Sequence, residues 1–226
     1  MIGLVSFCAG QEYCEVMRPC IESIRSYGER HSHPFFFFDD PAITDRPAAW
    51  SKIPILLHLM QSRPEIKYFA WIDADAMITN PTFPLRYLTD MLERHFKYVL
   101  YCIDTGNNLN SGVGLYKNTL YVRNFLSKVW EYDEYIEHPW WENAAICRAA
   151  IDMQDFFSRV MRISNANICN SMIQGRSAWK IGDFVIHFAG LPQAARKTLI
   201  PAFATFISEI EAYLPPFDPD RLLLEF

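Results

Sequence analysis

Tyr68, Phe69, Ala70, Trp71 and Ile72 form an apolar run that ends in two carboxylates, Asp73 and Asp75, separated only by Ala74. The run reads as a strand, and residues i and i+2 of a strand point to the same side. Asp73 and Asp75 are therefore expected to converge at the strand's carboxyl end. Two like charges that close repel, and one pKa must rise unless a cation sits between them. A divalent metal is the simplest resolution. The alternative is an exposed turn after a strand, where aspartate is common.

The rest of the chain supplies a frame for that strand. Residues 2–7 read as a first strand that runs into the small residues Ala9 and Gly10, which permit close backbone approach to a ligand. A helical pattern follows in Tyr13, Val16, Met17, Cys20, Ile24 and Tyr27, and Pro19 either starts or kinks that helix. Four phenylalanines at 35–38 suit a strand buried on both faces. Ser51 is placed to cap a helix carrying Ile53, Leu56, Leu57 and Met60. Further strands are expected at 98–103, 111–116, 159–164 and 184–188. Helices are expected at 85–96, from 118 or 119, at 142–153 and over 203–214. Residues 165–176 read as irregular, and 215–226, with three prolines, as an extended tail. Strands alternating with helices give an α/β sandwich with a mainly parallel central sheet. In such sheets ligands bind at the carboxyl ends of strands. Ser6, Asp39, Asp73, Asp75, Asp104 and His187 all fall at such ends.

Composition narrows the function classes. A chain of 226 residues is one domain, and 50% hydrophobic content gives it a sizeable core. Net charge is −5 and no basic run occurs, which argues against nucleic-acid binding. The six cysteines form no C-x-x-C pair, so a zinc site is not expected and the thiols read as reduced and mostly buried. The start lacks the basic residues of a signal peptide, and no apolar run approaches about 18 residues. A soluble, cytoplasmic protein without a transmembrane segment is the expectation.

His187, beside Gly190, is the best third ligand for the two aspartates, although a lone histidine on an apolar strand is also a common core residue. Mixed oxygen and nitrogen ligation fits Mn²⁺ well and Mg²⁺ acceptably. Open positions on such a metal suit a diphosphate, with Lys52, Arg176, Arg196 and Lys197 as candidate nearby cations.

Four segments resemble one family in its own order. They are Trp50, Ser51, Lys52 and Ile53; then Trp71 to Asp75, continuing to Ile78, Thr79, Asn80 and Pro81; then Leu109 to Val113 with Trp140, Trp141, Glu142 and Asn143; then Phe184 to Gly190. The chain resembles a metal-dependent glycosyltransferase of the GT-A fold, in the Asp-x-Asp family of galactosyl-, mannosyl- and xylosyltransferases. That resemblance implies a nucleotide-sugar donor, UDP rather than GDP, and a glycan or other hydroxyl acceptor, generally with retention. It implies Asp73, Asp75 and His187 at the metal, with Asp73 also near the ribose. Ser6 and Phe7 would lie near the base, and Lys52, Gly190 and Lys197 near the sugar or diphosphate. Ala74 would sit between the two aspartates at the donor. Asn110, Ser111 and Gly112 would line the sugar and acceptor region, and Glu142 and Asn143 would position the sugar. Asn143 stands where the family usually has glutamine, one methylene longer. The chain lacks the membrane anchor and stem of eukaryotic members, which suits a bacterial or viral cytosolic form. Two other readings stay open: a haloacid-dehalogenase-like phosphatase with Asp73 as nucleophile, and a non-catalytic nucleotide-sugar-binding domain.

Overall fold

A computed structural model describes residues 1–40, 44–104, 106–163, 169–175 and 177–221, with the backbone alone at 224–225. In chain order the elements are β1 (Ile2–Phe7), α1 (Gln11–His31), β2 (Phe35–Phe38), α2 (Lys52–Ser62), β3 (Tyr68–Ile72), β4 (Ala76–Ile78) and α3 (Leu85–Arg94). There follow β5 (Val99–Ile103), β6 (Leu109–Lys117), α4 (Leu120–Trp130), α5 (Trp141–Asp152), α6 (Phe156–Arg159) and β7 (Val160–Ile163). The last are β8 (Ser171–Met172), β9 (Val185–His187), α7 (Gln193–Ile210) and β10 (Leu224–Glu225).

A seven-stranded sheet has the order β10-β7-β5-β6-β3-β1-β2. β2 and β3 flank β1 in parallel, and β7 is parallel to β5. β6 runs antiparallel to both β3 and β5, and β10 antiparallel to β7. The sheet is thus mainly parallel, as the alternation of elements requires. Residues 224–225 of the tail close its outer edge on β7.

The side-chain period of a strand divides β3 between two cores. Phe69 and Trp71 pack with Leu56 of α2, Phe125 of α4 and Ala149 of α5. Tyr68, Ala70 and Ile72 pack with Ile24 and Tyr27 of α1 and Leu88 of α3. Helices therefore cover both faces and leave the carboxyl ends of the strands open.

Several local expectations change. The phenylalanines of β2 are half-buried, because β2 is the sheet's edge and has a strand on one side only. Pro19 neither starts nor ends α1, which runs through it over 21 residues. An interior proline costs about 3 kcal/mol. Burial of Met17, Cys20, Ile21, Ile24 and Tyr27 along one face offsets that cost. Ser51 does not cap α2: it is already helical, as the last residue of a 3₁₀ turn that runs straight into the helix. The strand expected at 184–188 forms as β9, but in a separate three-stranded sheet, β4-β9-β8. All six cysteines are free thiols. No helix among the described residues is long and apolar enough to cross a membrane.

Candidate active site

β3 ends at Ile72, so Asp73 and Asp75 stand in a turn rather than on a strand. Alternation along a strand is therefore not what brings them together. The Asp73 amide donates to the Gly112 carbonyl at 2.8 Å, and the Ala76 amide donates to the Asp73 carbonyl at 2.9 Å. That turn reverses the chain into β4, which pairs antiparallel with β9 in a register that sets Ala76 opposite His187. The Phe188 amide then donates to the Asp75 carbonyl at 2.9 Å. Thr79 and Asn80, just past β4, hold the segment before β9 through Asp183 and Gly182 carbonyls at 2.8 and 3.0 Å. A cross-strand neighbour 112 residues away thus becomes the third member of the cluster.

Asp73, Asp75 and His187 present ligand atoms within 4.8 Å of one another. His187 Nε2 lies 3.1 Å from Asp75 Oδ1 and 3.8 Å from Asp73 Oδ2. The other ring nitrogen is fixed by a chain of bonds with one consistent direction. The Gly112 amide donates to Asn110 Oδ1 at 3.0 Å, and Asn170 Nδ2 donates to the same oxygen at 2.7 Å. Asn170 Oδ1 therefore faces His187 Nδ1 at 2.8 Å and accepts its proton. Nε2 is left to face the carboxylates, as a metal-ligating imidazole must. Gly112 permits this approach, because a Cβ there would lie 2.1 Å from the His187 ring.

Charge at the cluster is balanced by whatever cation is available. Burial pushes the Asp75 pKa up, but His187 and Arg196 overcome it and hold the carboxyl below its ordinary range. Burial pushes His187 down, and Asp75 more than reverses that, so the imidazole ends above its ordinary value. Arg196 Nη2 donates to Asp75 Oδ2 at 2.8 Å, and its Nε donates to the Phe188 carbonyl at 3.2 Å. Two carboxylates and one imidazole, held in a fixed tautomer and drawing in cations, are a donor set that fits Mn²⁺ or Mg²⁺.

A second buried network lies beside the first. Lys52 opens α2 and is 2% exposed. Its ammonium donates to Glu142 Oε1 at 2.7 Å, to Ser111 Oγ at 2.9 Å and to the Ser111 carbonyl at 3.0 Å. Asp73 Oδ1 stands 3.3 Å from the same nitrogen and accepts from Trp71 Nε1 at 2.6 Å. Burial pushes Glu142 up and Lys52 pulls it back, and the carboxyl ends above the usual glutamate value. The Lys52 ammonium, which burial opposes, is held charged by Asp73 and Glu142. Asn143 faces β6: its Oδ1 accepts from the Ser111 amide at 2.8 Å, and its Nδ2 donates to the Leu109 carbonyl at 3.0 Å.

Both networks border one cavity of about 690 Å³. Phe7, Asp73, Ala74, Asp75, Asn110, Ser111, Gly112, Glu142, Asn143, His187 and Gly190, all named from sequence, line it. Ser6, Lys52 and Lys197 do not. Ser6 lies one residue inside β1, fully buried. Lys52 is enclosed behind Ser111 and Glu142. Lys197 points to Glu12 on the surface, at 2.7 Å. One step earlier on α7, Arg196 turns inward instead, and it is the one Lys or Arg lining the cavity among the described residues. Arg176 lies outside the described residues, as do Thr105 and part of the segment expected to be irregular at 165–176. Asn170 was not foreseen, since a single amide in a polar stretch carries no signal of its partner. Tyr13, which also lines the cavity, was read only as part of the apolar face of α1.

This arrangement is that of a GT-A glycosyltransferase fold. A glycosyltransferase involved in glycosylating the major capsid of PBCV-1 superposes with a TM-score of 0.69 at 15% identity, over 89% of this chain and 98% of its own. The galactosyltransferase LgtC, solved with donor and acceptor sugar analogues, superposes with a TM-score of 0.57 at 12% identity, over 97% of this chain and 98% of its own. In sequence, residues 4–97 match the galactosyl transferase GMA12/MNN10 family. An uncharacterized alpha-1,2-galactosyltransferase of Schizosaccharomyces pombe is 38% identical over 68 residues, 28% of this chain and 18% of the relative. Xyloglucan 6-xylosyltransferase 2 of Arabidopsis thaliana is 32% identical over 100 residues, 42% of this chain and 22% of the relative. The matches thus span less than a quarter of those relatives' lengths, and the segment matched by the family, residues 4–97, carries Lys52, Asp73 and Asp75.

Proposed function

We propose that this chain transfers a hexose or pentose from a nucleotide sugar, a UDP-sugar first among them, to a hydroxyl acceptor with retention at the anomeric carbon. The observation that carries the reading is the convergence of Asp73, Asp75 and His187 on the wall of a cavity large enough for a nucleotide sugar. The same three residues would hold Mn²⁺ or Mg²⁺, which when bound supplies positive charge against the departing diphosphate. The names of the sequence relatives, galactosyl- and xylosyltransferases, support the reaction class.

The chain's own groups then have definite tasks. Phe7, at the end of β1, faces the base, with Ser6 behind it. Arg196 meets diphosphate oxygens, and Ala74 and Gly190 leave room for them. Asn110, Ser111 and Gly112 border the sugar. Glu142, fixed by Lys52, places a carboxylate beside the anomeric carbon and stabilises an oxocarbenium-like sugar. With retention, the acceptor oxygen bonds to the anomeric carbon on the face the diphosphate leaves, the carbon–phosphate-oxygen bond breaks, and the acceptor proton passes to a phosphate oxygen.

Incubation with UDP- and GDP-sugars, with and without Mn²⁺, tests this. Metal-dependent release of the nucleoside diphosphate is the expected result. Release of inorganic phosphate from small phosphoesters, or binding without turnover, would contradict it. Asp75→Asn should lower turnover by about 10²–10³-fold, as loss of a strong electrostatic stabiliser does. Near-parental turnover at saturating Mn²⁺ would remove Asp75 from the site.

A further inference from the structure

Trp140 and Trp141 are 52% and 45% exposed, and both line the cavity. Two neighbouring indoles held open to water forgo a large hydrophobic gain. The backbone also resists this placement. Trp141 has φ 43, a left-handed conformation that a bulky residue adopts at a cost of about 1–3 kcal/mol.

The segment is braced rather than loose. Rings meet edge-on or tilted in sequence, Tyr132 with Tyr135 at 6.1 Å, Tyr135 with His138 at 5.7 Å and His138 with Trp140 at 5.7 Å. Tyr132 is itself buried, and its hydroxyl donates to Asp152 Oδ2 at 2.6 Å. The Trp140 amide donates to His138 Nδ1 at 3.0 Å, and the Trp141 amide donates to the His138 carbonyl at 2.8 Å. A braced aromatic surface thus stands at the cavity, about half open to water.

Its position selects the occupant. Glu142 and Asn143 follow directly, and Asn143 is bonded to β6. In the sheet order β6-β3-β1, β6 and β1 lie on opposite sides of β3 and its Asp73. The indoles are therefore across the metal-binding cluster from the end of β1, where the base is placed. Polar groups share the same cavity: Asp104, Asn110 and Asn143. An apolar surface in a cavity that also holds carboxylate and amide groups matches a pyranose, whose C–H face stacks on an indole while its hydroxyl rim hydrogen-bonds.

We propose that Trp140 and Trp141 form the acceptor subsite and that the acceptor is a saccharide whose pyranose ring stacks on them. This rests on the glycosyltransferase reading above and names its acceptor class. The test is calorimetric titration of the full chain with lactose, cellobiose, maltose and mannobiose, each with and without Mn²⁺ and UDP. UDP itself is titrated separately in the presence of Mn²⁺. Trp140→Ala and Trp141→Ala are compared with Trp140→Phe and Trp141→Phe, after thermal unfolding has shown each variant folded. At least one disaccharide should bind, each alanine should weaken it about tenfold, and phenylalanine should restore most of the loss. UDP affinity should stay within about twofold, since stacking losses of this size belong to the saccharide alone. Failure of every disaccharide to bind, or equal binding by the alanine variants, overturns the proposal. A fall in UDP affinity instead of saccharide affinity also overturns it, because the indoles would then stack on the base. Absence of Mn²⁺-dependent UDP binding by the parent chain contradicts the glycosyltransferase reading, separately from the saccharide arm.

Discussion

Asn170 touches neither cavity nor carboxylate, yet its Oδ1 decides which nitrogen of His187 carries the proton. It is fully buried, and its own orientation is set by Asn110, which is set in turn by the Gly112 amide. Groups that orient a ligating imidazole are typically worth about 10–100-fold in metal affinity. Asn170→Ala is expected to weaken Mn²⁺ binding by that factor, read directly by electron paramagnetic resonance of free Mn²⁺. Unchanged affinity would mean that packing alone holds the ring. Lys52 makes the opposite kind of contribution. It is buried between Glu142 and Asp73, and removing one partner of a buried pair typically costs about 3–5 kcal/mol. Lys52→Met should lower stability in urea by that amount, and Lys52→Met with Glu142→Gln should recover part of it. A Lys52→Met variant as stable as the parent would show that Ser111 and water already compensate Glu142.

At the scale of elements, Glu93 shows how the end of the sheet opposite the cavity is held. It sits on α3 and accepts from Tyr68 Oη at the start of β3 at 2.6 Å. Lys117 at the end of β6 and Lys67 each lie 2.8 Å from its carboxylate. Burial raises its pKa, but these three donors outweigh burial and bring it to about 2. A carboxylate with a lower pKa folded than unfolded stabilises the fold above its unfolded value of about 4.3, and that contribution fades as pH falls toward the folded value. Stability of the parent should therefore drop more steeply than that of Glu93→Gln between about pH 4.3 and pH 2. Parallel acid profiles would contradict the network. The elements also show what a sequence can convey. The apolar strand before Asp73 and the helical spacing of apolar residues in α2 and α4 are local signals, and they stand where periodicity placed them. β4, β8 and β10 have three, two and two residues, too few for any period to register. The antiparallel run of β6 and the partition of β9 into a second sheet depend on pairing between distant segments, which no local pattern encodes.

For the whole molecule, the sheet places two acidic networks and one arginine around a single cavity at the strand ends. Asp73, Asp75 and His187 were legible because polar groups at the ends of apolar strands are conspicuous, whereas Glu142 was legible only through the family resemblance. Arg196 and Lys197 were both legible as candidate cations, and the sequence favoured Lys197 for the sugar or diphosphate. The rotation of α7 that buries Ile200 and Ile207 turns Arg196 toward Asp75 and Lys197 toward Glu12. Asn170 and the exposure of Trp140 and Trp141 emerge only when distant segments meet. The function proposed for Asp73, Asp75 and His187 is a metal-dependent nucleotide-sugar site. It is tested most directly by calorimetric titration of UDP into the parent chain, Asp75→Asn and His187→Ala, each with Mn²⁺ and with excess EDTA. UDP binding by the parent with Mn²⁺, and its loss with EDTA and in both variants, is the expected result. Equal UDP affinity with and without metal, or parental affinity in the variants, would contradict it.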